Sequence, residues 1–209
     1  MKYLLFIWLM LSALRGFAQE AVSAAESQKM IEQVCVAAGK LSSLQCDFRQ
    51  TKQLSLLKTA LKSEGKMYYK GGKQLHWEYT SPYTYTFVLS GDKVMLKSAK
   101  NTDVIDVRSS KMFQQIARIM MNSVTGRCLT DEKDFKVTMF ASGKEWIARL
   151  IPCQKELAQM FQEIRLHIDP EQQMVTTVEL QEKSGDTTLI EMKNIQKNVT
   201  IDDEVFDIK

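Results

Sequence analysis

Residues 64–83 read EGKMYYKGGKQLHWEYTSPY, the most informative passage of the chain. In its first arm Met67 and Tyr69 share one face of a period-two pattern. In the second arm Leu75, Trp77 and Tyr79 share one face, with His76 and Glu78 opposite. Gly71-Gly72 between the arms is a turn signal, and Ser81-Pro82 is a second. The pattern predicts an antiparallel hairpin with one oily, aromatic face. No histidine–carboxylate pair or cysteine cluster that looks catalytic accompanies it. The passage therefore points to binding by apolar area rather than to bond chemistry.

The same alternation continues on both sides. In LQCDFRQ, Leu44, Cys46 and Phe48 alternate with Gln45, Asp47 and Arg49. YTYTFVLS and KVMLKS follow, joined at Gly91-Asp92, and TDVIDV completes a meander. Alternation returns after residue 134 in DFKVTMF, EWIARLI, EIRLHI, MVTTVELQ and TTLIEM, with turns at Ser142-Gly143, Asp169-Pro170 and Ser184 to Asp186. Two stretches break it. Residues 21–38 carry Met30, Ile31, Val34, Cys35 and Ala38 at helical spacing, and Gly39 is a stop. Residues 110–123 place Phe113, Ile116, Ala117 and Met120 on one helical face behind a Ser109 or Ser110 cap.

A long antiparallel series of strands curls rather than staying flat. The expected fold is mainly β with helices, a strongly curved antiparallel half-barrel (an incomplete β-barrel). Helices would cover it, forming a lid over an apolar cavity. Phe48, Met67, Tyr69, Leu75, Trp77, Tyr79, Phe87 and Leu89 would line that cavity. Phe113, Ile116 and Met120 would face it from the lid. The methionines near 120 serve equally as ordinary core or as a deformable lid.

Residues 1–18 have the make-up of a secretory signal peptide: Lys2, an apolar run, and Gly16 and Ala18 at small-x-small spacing. The rest, 19–209, is one domain. Export would put the protein in the periplasm. The full chain carries 28 basic and 25 acidic residues, a net +3. Without Lys2 and Arg15 the balance is near +1, which argues against a nucleic-acid partner.

Four cysteines in an exported chain permit two disulfides in three connectivities. A bridge between Cys128 and Cys153 would close the base of the hairpin turning at Ser142-Gly143, and Cys35 would then join Cys46. Four free thiols are the alternative. The two histidines, His76 and His167, lack further ligands at zinc spacing, and no metal or cofactor is expected. Asp131, Glu132 and Asp134 lack the spacing of a calcium loop and read as solvated, as do Asp202, Asp203 and Glu204. No nucleophile elbow or phosphate-cradling glycine loop is present, so no catalytic residue is assigned.

The order of FRQ at 48–50, EGKMYYK at 64–70, LHWEYTSPY at 75–83, FVLSGDKV at 87–94 and IAR at 116–118 resembles the LolA family of periplasmic lipoprotein carriers. The segment W-E-Y-x-x-P is the most specific part of the match. The resemblance implies a carrier of acylated lipoproteins, with an inner-membrane ABC transporter as donor and an outer-membrane acceptor. A monomer without cofactor is expected. The chain departs from the family at Gly71-Gly72, where relatives have an Arg-Pro step tied to lid movement. That departure keeps open a carrier of another amphiphile, such as a glycolipid or lipid-linked pigment. A non-transport envelope binding module is a further alternative, and an exported hydrolase the last.

Overall fold

The computed structural model describes residues 21–57, 59–109, 114, 118, 119, 121–123 and 126–208. Eleven antiparallel strands form one open sheet. They are β1 (Ser43–Gln53), β2 (Leu61–Lys70), β3 (Gln74–Ser81), β4 (Tyr85–Ser90), β5 (Lys93–Ser98) and β6 (Thr102–Asp106), then β7 (Phe135–Ser142), β8 (Glu145–Pro152), β9 (Phe161–Asp169), β10 (Met174–Glu182) and β11 (Thr187–Lys197). The order across the sheet is β6-β5-β4-β3-β2-β1-β11-β10-β9-β8-β7. Two meanders are thus joined edge to edge by β1 and β11, with Phe48 opposite Met192 and Lys52 opposite Thr188. This is the expected mainly-β half-barrel, left open between β6 and β7.

The 64–83 hairpin forms as its alternation predicts, pairing Met67 with Trp77 and Tyr69 with Leu75. Gly71 and Gly72 take φ of 60° and 72°, the left-handed pair that a tight hairpin between right-twisted strands requires. Helix α1 (Ala24–Gly39) starts at Ser23, whose hydroxyl accepts from the Glu26 amide at 3.2 Å. It buries Met30 and Val34 against Leu150, Leu166 and Ile168 of the C-terminal meander. A second core under the N-terminal meander holds Leu44, Met67, Leu75 and Val94. Burying one such side chain stabilises by about 1.5–3 kcal/mol.

Three elements extend beyond the sequence pattern. A short helix, α2 (Lys155–Met160), precedes β9 and buries Leu157. Leu61 to Glu64 prolong β2 beyond its oily centre. The tail from Val199 to Ile208 covers the outer face of β3 to β5, where Ile201 and Phe206 pack on Val88 and Met95. His76 lies on that face, as its register predicts, and its Nδ1–H donates to the Val205 carbonyl at 2.6 Å. Asp202 caps the 3-10 turn Asp203–Phe206, and Asp203 pairs with Lys70 at 2.6 Å. His167 makes cross-strand polar contacts to Glu145 at 3.1 Å and Glu179 at 3.3 Å.

Asp134 corrects the expectation of a solvated acidic loop. Its side chain is 2% exposed and pairs with Arg118 at 2.7 Å. The neighbouring strand start Phe135 is buried and carries Asp134 inward with it.

Candidate functional site

The inner face of the sheet opens into a hollow of about 580 Å³. That lies within the range of roughly 300–1,000 Å³ typical of ligand sites. Of the residues expected there, Met67, Leu75, Trp77, Tyr79 and Phe87 line it. Phe48, Tyr69 and Leu89 sit in the buried core beneath. Phe48 supports the lining: its ring stacks on Trp77 at 4.2 Å and meets Tyr79 edge-on at 5.2 Å. Offset and edge-to-face rings hold each other's orientation, so the aromatic wall is preformed. Tyr79 donates its hydroxyl to Gln50 Oε1 at 2.9 Å, and burial pushes its phenol pKa upward.

The opposite wall comes from the C-terminal meander. Val178, Leu180, Ile190 and Met192 line it, with Met160 and Phe161 at one rim. Period-two alternation shows that these residues form a face, but only the β1–β11 pairing turns that face toward Trp77. Sequence reasoning found the first wall and missed the second for this reason.

The lid residues Phe113, Ile116 and Met120 lie outside the described residues, as does the segment 1–18. Helical positions 118, 119 and 121–123 are described. Ile119 and Ser123 line the hollow, one turn apart on the same helical face. Met121 is buried in the core of the N-terminal meander. Arg118 ties this segment to Asp134. Burial pushes the Asp134 carboxyl above its ordinary pKa even with the Arg118 guanidinium beside it.

Gly71-Gly72 offers no side chain for a polar latch of the Arg-Pro kind. Its neighbour Lys70 points to the outer face, donating to the Ile201 carbonyl at 3.0 Å and to Asp203. Among the described residues, helical positions 118, 119 and 121–123 are joined to the start of β7 by the Arg118–Asp134 ion pair.

All four cysteines are free thiols in the structure. Cys35 lies near enough to Cys128 for their charges to interact, while Cys46 sits in the core of the other meander. Burial pushes the Cys46 and Cys128 thiols up to about 12. The thiolate is the reactive form. Iodoacetamide at neutral pH should therefore alkylate exposed Cys153 and spare Cys46 and Cys128 until denaturant is added. Peptide mass mapping reads this directly, and rapid labelling of Cys46 in the folded protein would refute its burial. Among the described residues no cluster of three or more His, Cys, Asp or Glu could hold a metal.

Comparison with known proteins agrees with this geometry. The family model described as outer membrane lipoprotein carrier protein LolA matches residues 39–209. An outer-membrane lipoprotein carrier protein from Methylococcus capsulatus is 26% identical over 164 residues, covering 78% of this chain and 75% of its own. Among solved structures, a LolA superfamily protein from Nitrosomonas europaea superposes with a TM-score of 0.50 at 12% identity, covering 87% of this chain and 97% of that one. An uncharacterised conserved protein from Thermus thermophilus gives 0.54 at 8% identity, covering 88% and 94%. At such identities the two structures share the fold alone.

Proposed function

The chain belongs to the LolA family of outer membrane lipoprotein carrier proteins, and from that premise we propose that it is a periplasmic carrier of acylated lipoproteins. It shields their acyl chains in the hollow and ferries them from the inner membrane toward the outer membrane. By family resemblance the donor is an inner-membrane ABC transporter and the recipient an outer-membrane acceptor. It acts by binding and release, as a monomer, without a cofactor.

The single observation that carries this reading is the apolar hollow between the two meanders. An acyl chain in water costs about 0.8 kcal/mol per CH2, so a long chain needs a shield on the order of ten kcal/mol deep. Phe, Tyr, Trp, Leu and Met bind such a chain by area and tolerate its shape. Release then depends on opening the hollow rather than on breaking hydrogen bonds. The segment carrying Ile119 and Ser123 is the movable wall, and Arg118–Asp134 is its tether.

Mass spectrometry of the native protein should find an acylated lipoprotein or its lipid anchor bound. A hollow that never binds an apolar fluorescent probe saturably would defeat the proposal. A glycolipid or a lipid-linked pigment in that experiment would favour the second reading, a carrier of another amphiphile. The observation behind that reading is the Gly71-Gly72 turn, whose Lys70 is engaged on the outer face.

Trp77→Ala removes the ring that lines the hollow while β3 keeps its pairing on both sides. Affinity for a fatty-acid probe should fall about tenfold, with near-native circular dichroism. Unchanged affinity would place the ligand elsewhere.

A further inference from the structure

The lining of the hollow is graded from one end to the other. Along β1 the inward positions run Leu44, Cys46 and Phe48, then Gln50 and Lys52. Along β10 they run Val178, Leu180, then Glu182. Along β11, Met192 and Ile190 give way to Thr188. The polar ends of all three strands coincide, because Lys52 stands opposite Thr188 and Gln181 opposite Thr187.

Among the described lining residues Lys52 and Glu182 are the charged ones, and they face each other. Lys52 Nζ lies 2.7 Å from Glu182 Oε1, and Thr188 donates to the same oxygen at 3.4 Å. Their side chains are 31% and 24% exposed, at a mouth rather than in a core. The lining therefore has a polar end with no net charge.

We propose that the Lys52–Glu182 pair is a charge filter at the polar end of the hollow, admitting acylated ligands whose tail-linking group is uncharged and excluding those that carry a phosphate there. This rests on the carrier reading and adds a specificity determinant to it. A lysine ammonium has three N–H donors. With one on Glu182, another is free for an ester or amide carbonyl, and the pair stays intact. A phosphate at the same place meets the Glu182 carboxylate as well as the ammonium. It must either displace the carboxylate from Lys52 or accept a like charge beside it. Apolar tails enter toward Trp77 and Leu75 in both cases, so the tails do not discriminate.

The test compares dioctanoylglycerol with dioctanoylphosphatidate, whose chains are identical, by calorimetry at low ionic strength. The wild-type protein should prefer the uncharged lipid by about tenfold. Glu182→Gln frees the lysine charge and should bring the two affinities together. Lys52→Gln leaves the carboxylate alone and should widen the preference. Equal affinities in the wild type would overturn the filter, as would an unchanged ratio in either variant. The two variants act in opposite directions, so misfolding of one leaves the other decisive. Failure of the wild type to bind either lipid would overturn the carrier reading itself, and the filter with it.

Discussion

Gly65→Val should destabilise the protein by about 3 kcal/mol or more. Gly65 lies on the inward face of β2, where Phe48 crosses over it. An ideal Cβ there would stand 1.9 Å from the Glu78 carbonyl oxygen and 2.6 Å from Phe48 Cζ. The first contact is with backbone, which cannot swing away as a side-chain tip could. A valine must therefore push β2 off β3 or lift the Phe48 ring from Trp77. The first loses ladder hydrogen bonds; the second collapses the aromatic wall. A domain's total stability is only about 5–15 kcal/mol. The melting temperature should drop by about 10 °C, and probe binding should weaken with it. A variant melting within about 2 °C of wild type would show that β2 and β3 do not approach as closely as described.

Arg118→Met should come next in size, with an effect that depends on pH. The substitution keeps the aliphatic stem but strips the guanidinium from Asp134, whose side chain is 2% exposed. Removing one partner from a buried pair costs about 3–5 kcal/mol. Arg118 is itself 45% exposed, so solvent screening brings the expected cost nearer to about 2 kcal/mol. Burial holds the Asp134 pKa above its unfolded value, and Arg118 opposes that rise. A carboxyl with a raised folded pKa contributes stability that is fully present below the unfolded pKa and is lost as pH rises through the folded one. Without Arg118 that folded pKa climbs further, so the loss grows across the acidic to neutral range. Urea unfolding should show a small deficit near pH 4 and a larger one at pH 7 and above. A deficit independent of pH would mean that the tether is packing and not charge. The same variant should release a bound probe faster, because the wall carrying Ile119 and Ser123 loses its anchor.

Much of this protein is legible without its fold. The two strands of 64–83, the aromatic face of Met67, Leu75, Trp77 and Tyr79, and the helix over Met30 and Val34 follow from periodicity and turn residues. Asp134 is not legible in this way. An aspartate between Lys133 and Phe135 looks like any loop residue, and neither its burial nor its pairing with Arg118 can be read from its neighbours. The tail hides its packing for a related reason. Asp202 to Glu204 are indeed polar, but Ile201 and Phe206 on either side seek apolar cover on β4 and β5.

Sequence alone determined the strands, their two faces and most of their turns, because alternation and turn chemistry are properties of a few adjacent residues. The tertiary structure alone decided that β1 meets β11. That pairing gives the hollow its second wall, brings Lys52 to Glu182, and makes a container from two half-buried meanders of one sheet. Backbone hydrogen bonds are the same for any pair of strands. Which distant edges join is therefore set by how the whole chain closes over its apolar faces, and no short segment carries that information.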